Sequence, residues 1–352
     1  MEDTNTVKLT QFSRGAGCGC KIAPAVLEEI LKTTSEQQVY PNLLVGNNTN
    51  DDAAVYDMGN GTALITTADF FMPVVDDAYD FGRIAAANAI SDVYAMGGNP
   101  LVAIAILGWP VDKLPAALAS RVLDGARAIC KEAGIPLAGG HSIDTTEPVF
   151  GLSVNGVCNI ANLKRNSTAN EGDLIFITKP IGVGILATAQ KRGVLQHVHE
   201  EVLIQQMVML NSLGAALGKL DCVTAMTDVT GFGIAGHLIE MAEGSGLSAE
   251  LYYGKLPVIA GAREYLTQRI VPDATYRNWN GYGKKIHFEP GVDVMEAFSL
   301  LPDPQTNGGL LIAVAAAEVE VFVKLLETYG LGGFAEPVGR FISASEKVLI
   351  VR

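Results

Sequence analysis

"DFGRIAAANAISDVYAMGGNPLVAIAILGWP", residues 80–110, decides the fold class. Residues 80–98 are rich in alanine and free of proline, open on Asp80 as an N-cap and stop at Gly97-Gly98, which predicts a helix. Residues 100–110 form an almost uninterrupted apolar run between prolines, which predicts a buried strand. Working outward, "GTALITTADFF" (61–71) is a β-branched strand that runs out at the polar Asp69. On the other side, "AALASRVLDGARAICKEAG" (116–134) is a second helix closed by glycine, and "PVFGLSVNGVCNI" (148–160) is a further strand. A β-α-β-α-β succession predicts mixed α/β or α+β layers.

Near "ANLKRNSTANEGD" (161–173) the chain turns polar and loses periodicity, and the domain boundary is placed there. The expected division is an N-terminal arm and lead-in over 1–48, a first α+β domain over 49–165 and a second over 166–352. The second domain has an expected strand at "LIFITKP" (174–180), helices through 183–219, a strand at "CVTAMTD" (222–228) and a helix after "VTGFGIAG" (229–236). It ends with a strand feeding an amphipathic helix in "GGLLIAVAAAEVEVFVKLLETYG" (308–330), then a terminal strand, "KVLIVR" (347–352). The stretch from 270 to 305 is rich in Gly, Pro, Tyr and Asn and predicts an irregular excursion.

The 352 residues are 49% hydrophobic and 18% charged, so a large buried core is expected. A formal charge of −13 argues against nucleic-acid or membrane-surface partners, because their phosphates would be repelled. An anionic ligand would need metal cations between it and the protein. Of the cysteines at 18, 20, 130, 158 and 222, the last three lie in apolar or mixed stretches and are expected as buried reduced thiols. With no disulfide framework, no signal peptide in "MEDTNTVKLTQ" and no apolar run near the roughly 20 residues a membrane span needs, a cytoplasmic protein is expected.

Acids recur where strands end. Asp51 and Asp52 precede "AAVYD", Asp69 and Asp228 terminate strands, and Asp92 lies one helical turn from Asn88, sharing its face. Carboxylates on rigid rims suit hard cations that bridge phosphates; each one alone reads better as a cap or turn aspartate, and it is their recurrence that favours the cation reading. "AGGHSID" (138–144) sets two glycines before His141 and Ser142, fit for close approach to a ligand or for an ordinary turn. "DPQTNGG" (303–309) is a tight loop before a strand.

"GAGCGCK" (15–21) fails as a P-loop, because Cys20 stands where glycine must precede the lysine and Ile22 follows it. It lacks a second cysteine pair for zinc, and a Cys18–Cys20 disulfide would be strained. A mobile arm remains, with Lys21 meeting a phosphate and a cysteine presenting a thiolate, beside the plain alternative of a flexible N-terminus.

Together, "LTQFSRGAGCGCK", "NNTNDDAAVYD", "TTADFFMP", "NAISDVYAMGG", "AGGHSI", "TDVTGFG" and "DPQTNGG", in this order, resemble the selenophosphate synthetase family from about residue 8 to the C-terminus. The last four are shared more loosely with a superfamily that includes aminoimidazole ribonucleotide synthetase, thiamine-monophosphate kinase and a hydrogenase-maturation protein; "GAGCGCK" is what separates the family from these. The resemblance implies conversion of ATP, selenide and water to selenophosphate, AMP and orthophosphate, with Mg²⁺ and a potassium-type ion. It puts the catalytic cysteine and lysine at Cys18 and Lys21, and magnesium at Asp52, Asp92 and Asp228. ATP contacts fall on Lys21, Thr49, Asn50, Asp51, Asp69, Asp92, Gly140, His141 and Ser142. It further implies an aminoimidazole ribonucleotide synthetase-like α+β fold with an ATP- and Mg²⁺-binding N-terminal domain. That domain would pair into a dimeric β-barrel, with a mobile glycine-rich arm. A homodimer and a selenide-delivery protein are the implied partners. Two departures stand out: Cys18 replaces the selenocysteine of many members, and Asn307 stands where many superfamily members have serine. Two alternatives are another ATP-using superfamily enzyme, and a non-enzymatic selenium or metal carrier using Cys18 and Cys20.

Overall fold

The computed structural model describes residues 7–22, 24–31, 40–46 and 51–352. Short 3-10 turns at Leu9–Phe12 and Gly17–Cys20 precede helix α1 (Pro24–Leu31). The first sheet is built from β1 (Leu43–Val45), β2 (Ala54–Asp57), β3 (Thr62–Phe71), β4 (Asn99–Trp109), β5 (Leu137–Asp144) and β6 (Val149–Asn159), in the order β1-β2-β3-β6-β4-β5. Only β4 and β5 run parallel. Helices α2 (Ala78–Ala95) and α3 (Ala116–Glu132) connect its strands.

In α2 almost every side chain is buried, Phe81 and Ile84 to Ala87 completely. A helix apolar on all sides needs cover on all sides. The first sheet supplies one side, α3 another, and the second half of the chain the rest. Crossing α2, Gly125 of α3 meets the Tyr79 carbonyl, and Gly82 meets that of Val122, so closely that a β-carbon would collide with either. The helix begins earlier than expected. Asp77 is its N-cap, accepting from the Asp80 N–H at 2.9 Å, and Asp80 sits in the first turn paired with Arg83. With two aspartates three residues apart, the one preceding the apolar periodicity takes the cap.

In the second half, β7 (Leu174–Ile177) is followed by α4 (Val183–Lys191), α5 (His197–Val208), α6 (Leu213–Leu217), β8 (Val223–Asp228), α7 (Gly233–Gly244) and β9 (Leu247–Leu251). Next come α8 (Ala262–Thr267), α9 (Asp273–Tyr282), β10 (Ile286–Phe288), α10 (Val294–Leu300), β11 (Leu310–Val314), α11 (Val319–Thr328), β12 (Gly339–Ser343) and β13 (Leu349–Val351). The strands order as β10-β13-β9-β12-β7-β11-β8. The region 270–305 is therefore regular, with α9, β10 and α10 in place of the expected excursion. Asp293 caps α10 through the N–H groups of Met295 and Glu296, and Trp279 packs tilted against Phe298, with ring centroids 4.6 Å apart. Tertiary packing overrides the weak helix propensity of its Gly, Tyr and Asn residues.

The N-terminal segment is pinned to the body. Leu9 is fully buried, the Gly17 N–H donates to the Met72 carbonyl at 3.0 Å, and Lys191 Nζ donates to the carbonyls of Ser13, Arg14 and Gly15. Cys130, Cys158 and Cys222 are buried free thiols, as expected. Among the described residues no helix is long and apolar enough to cross a membrane.

Candidate functional site

The site forms where the end of β3, the middle of α2, the end of β8 and the N-terminal turn converge. Helical spacing puts Asn88, Ser91 and Asp92 on one face of α2, the polar break in an otherwise apolar helix. Asp92 accepts from Thr67 Oγ1 of β3 at 2.5 Å, and Asn88 Nδ2 donates to Asp69 Oδ2 at 2.6 Å. Ser91 Oγ donates to Asp228 Oδ2 at 2.5 Å, tying α2 to β8. Asp52, just ahead of β2, accepts from Thr227 Oγ1 at 2.7 Å, while its other oxygen is buried without a hydrogen-bond partner among the described residues.

Three of these acids destabilise one another's charge. Burial, then the repulsion of Asp69, Asp228 and Asp52, raises Asp92 well above the carboxylate range. Asp52 is raised by burial and by Asp228, against the Thr227 hydrogen bond. Burial pushes Asp228 up to about 6, with the Ser91 hydrogen bond and Lys21 holding it down. The cluster is short of positive charge.

Lys21 and Cys18 supply the thiol and the ammonium. Solvent reaches the Lys21 residue. Desolvation of its ammonium works against the charge, but Asp69, Cys18, Asp92 and Asp228 outweigh it and hold its pKa raised. Lys21 Nζ lies 3.4 Å from Thr230 Oγ1 and 5.8 Å from the centroid of Phe232. Cys18 is 2% exposed, with its Sγ 3.2 Å from Asn88 Oδ1. Burial, then Asp69, pushes that thiol well above its usual range, against the pull of Lys21. In this arrangement Cys18 is a neutral thiol donating to Asn88. Cys20 turns away, its Sγ 2.9 Å from the Gly17 carbonyl.

The 303–309 loop closes the floor. Thr306 Oγ1 accepts from the Cys18 N–H at 3.1 Å, and the Asn307 N–H donates to Asn88 Oδ1 at 2.8 Å. Asn307, at φ 49°, is anchored by its side-chain amide to the carbonyls of Met207 and Met209.

Of the residues expected at the site, Cys18, Lys21, Asp52, Asp69, Asp92 and Asp228 come together, and Asp51 adjoins them, accepting from the Asn166 N–H. Thr49 and Asn50 lie outside the described residues. Gly140, His141 and Ser142 do not join the cluster in this chain. They lie on edge strand β5, and the register Asp69–Leu152–Ala105–Gly140 sets Gly140 three strands, roughly 14 Å, from Asp69. The close approach at Gly140 is to β4: a β-carbon there would strike the Ala105 backbone. Among the described residues no three His, Cys, Asp or Glu side chains are grouped so as to hold one metal ion as they stand. Ser91, Thr67, Thr227 and Thr306 were not foreseen as site residues. The polar face of α2 is the signal that reveals Ser91; the three threonines carry none.

This geometry belongs to a known family. Residues 50–158 match the model for the AIR synthase related protein, N-terminal domain, and residues 170–352 match its C-terminal domain. The selenide, water dikinase of Sulfurovum sp. is 50% identical over 347 residues, covering 99% of both chains. That of Photorhabdus laumondii is 53% identical over 325 residues, covering 92% of both. In fold the chain is similar to the hydrogenase maturation protein HypE solved in complex with ATP, with TM-score 0.64 and 18% identity over 89% of this chain and 86% of that one. Built on the two-domain AIR synthase related fold, the chain belongs to the selenide, water dikinase family.

Proposed function

We propose that this chain is the enzyme its relatives are named for, making selenophosphate, AMP and orthophosphate from ATP, selenide and water. The observation that carries the reading is the convergence of Cys18 and Lys21 on Asp52, Asp69, Asp92 and Asp228. A triphosphate cannot rest against four carboxylates unless cations lie between them. Asp52, with one buried oxygen unpartnered, Asp92 and Asp228 fit a Mg²⁺ site by their all-oxygen donor set and mutual repulsion. Bound there, Mg²⁺ would neutralise phosphate charge and orient the phosphates.

The chain's own residues do the rest. Lys21 places a fixed cation where charge develops on the transferred phosphoryl group. Asn88 orients Cys18 and Asp69 at once, through separate atoms of its amide. The Cys18 thiol ionises more readily when the N-terminal turn lifts into solvent, and when the turn closes it holds selenide by hydrogen bonding beside the phosphates, with no bond made to sulfur and no change of oxidation state. Closure excludes water from the first transfer, and opening admits it for cleavage of the remaining phosphate.

Gly140, His141 and Ser142 meet the nucleotide of a second copy. The sheet face away from α2 supports this pairing, with Tyr56, Phe70, Ile104 and Ile143 exposed on it. His141 lies on that face too, in register with Ile106, Gly151 and Phe70. Packing two such faces would bury them as a homodimer. Phosphorus NMR of an anaerobic reaction of ATP, Mg²⁺ and selenide tests the function. A selenophosphate signal with stoichiometric AMP and orthophosphate supports it; ADP as the sole nucleotide product overturns it.

A further inference from the structure

A cavity of about 370 Å³ lies between α2 and α3 on one side and the second half on the other. Its floor carries two buried donors from adjacent residues, Thr178 and Lys179, 3% and 1% exposed. Lys179 Nζ donates to the carbonyls of Met209 at 2.7 Å and Asn307 at 2.9 Å, and its third N–H meets no acceptor among the described residues. Thr178 Oγ1 accepts from the Leu310 N–H at 2.8 Å, and its own hydroxyl proton is likewise unclaimed there. Two unspent donors from adjacent residues, one of them an ammonium, on the lining of a half-open cavity whose other walls are largely apolar make a site for a negative charge. Glu132 and Ser212 stand exposed on the same lining, so the opening is acidic while the floor is basic. A water needs roughly 10–15 Å³ by this measure, so the space admits an anion with several waters.

The cavity also communicates with the chemistry. Asn211, on its lining, donates to Ser91 Oγ at 2.8 Å, and Ser91 holds Asp228. Lys179 holds the Asn307 carbonyl, whose residue's N–H holds Asn88 beside Cys18.

The geometry points to a small inorganic anion site at Thr178 and Lys179, one residue layer behind the catalytic cluster. It serves either incoming selenide or departing orthophosphate. The choice between these anions rests on the reaction proposed above; the existence of the site does not. Burial lowers the Lys179 pKa to about 7, and a bound anion would restore its charge.

The test uses the full-length protein, its Lys179→Met variant and, because a buried substitution can impair folding, Ser212→Phe, which crowds the lining from an exposed position. Calorimetric titration with hydrosulfide and with inorganic phosphate should show binding to wild type weakened about tenfold in both variants, the loss of one charged hydrogen bond. A crystal soaked in bromide should show anomalous density within hydrogen-bond reach of Lys179 Nζ. In the steady state, a selenide role raises KM for selenide about tenfold with KM for ATP unchanged, and a phosphate role relieves orthophosphate inhibition by the same factor. Bromide absent from the cavity, or present while binding and both kinetic readouts are unchanged in both variants (an adventitious ion only), overturns the site. Should wild type make no selenophosphate at all, the dikinase reading falls, and titration and anomalous density still decide the site.

Discussion

Lys21 lies beside the acid cluster and Lys179 holds the Asn307 carbonyl of the 303–309 loop, and their surroundings push them in opposite directions. Lys21 faces Asp69, Asp92, Asp228 and the Cys18 thiol, and its proton is held tightly despite desolvation. Lys179 is surrounded by backbone carbonyls with one distant acid, Asp228, and burial wins, bringing it down to about 7. Lys21, which solvent reaches, and Lys179, 1% exposed, thus hold opposite charge preferences because Lys21 has several anions within reach and Lys179 only Asp228. On the readings proposed above, the cluster at Lys21 would receive cations and phosphate, and the cavity at Lys179 a lone anion.

The largest expected effect falls on the cluster at Lys21. Cys18→Ser should abolish selenide-dependent product while nucleotide binding survives, whereas Cys20→Ser, whose thiol only touches the Gly17 carbonyl, should stay within about twofold of wild type. Equal loss at both positions, measured by selenophosphate yield, would make the two thiols a pair and erase the asymmetry. Next in size, Lys21→Ala should lower kcat by roughly 10²–10³, the usual cost of removing one preorganised charge donor at a transition state. If Lys179→Met costs as much, the two lysines are not functionally distinct.

Asp52→Ala should weaken Mg²⁺-dependent ATP binding by roughly tenfold or more, read by titration with and without the metal, since it removes a charged donor from the cluster. A smaller effect concerns pH. The Asp228 carboxyl titrates near 6 in the folded protein against an ordinary 3.8, so the folded state binds the extra proton between those values. Its contribution to stability is therefore favourable in acid and declines as pH rises through 6. Mg²⁺ should reverse this by satisfying the carboxylates, raising Tm by several degrees at pH 7.5 and by much less at pH 5.5, where protons compete. An equal Mg²⁺ shift at both pH values would remove the acids from the metal site.

Legibility in the sequence followed distance along the chain. Helix α2, strand β4 and the shared face of Asn88 and Asp92 were readable, because period and capping are local properties. The 270–305 region misled because its Gly, Pro, Tyr and Asn content signals turns, while α9 and α10 are helical through contacts with distant elements. The "AGGHSID" stretch left a turn open where the structure has β5, because an exposed edge strand shows little apolar alternation. Motif resemblance marked Cys18, Lys21, Asp52, Asp69, Asp92 and Asp228; it did not show that Asn88 bonds to Cys18, Asp69 and Asn307 together.

By itself the sequence determined the α+β class and the family, and marked the acids, thiol and ammonium that converge in the fold, because those rest on residue type and short-range order. Only the tertiary structure decided that Cys18 sits buried and protonated, that β5 lies three strands from Asp69, and that Lys179 faces a cavity. These depend on contacts such as Lys179 with Asn307, 128 positions apart, where the environment sets each charge and no local pattern records it.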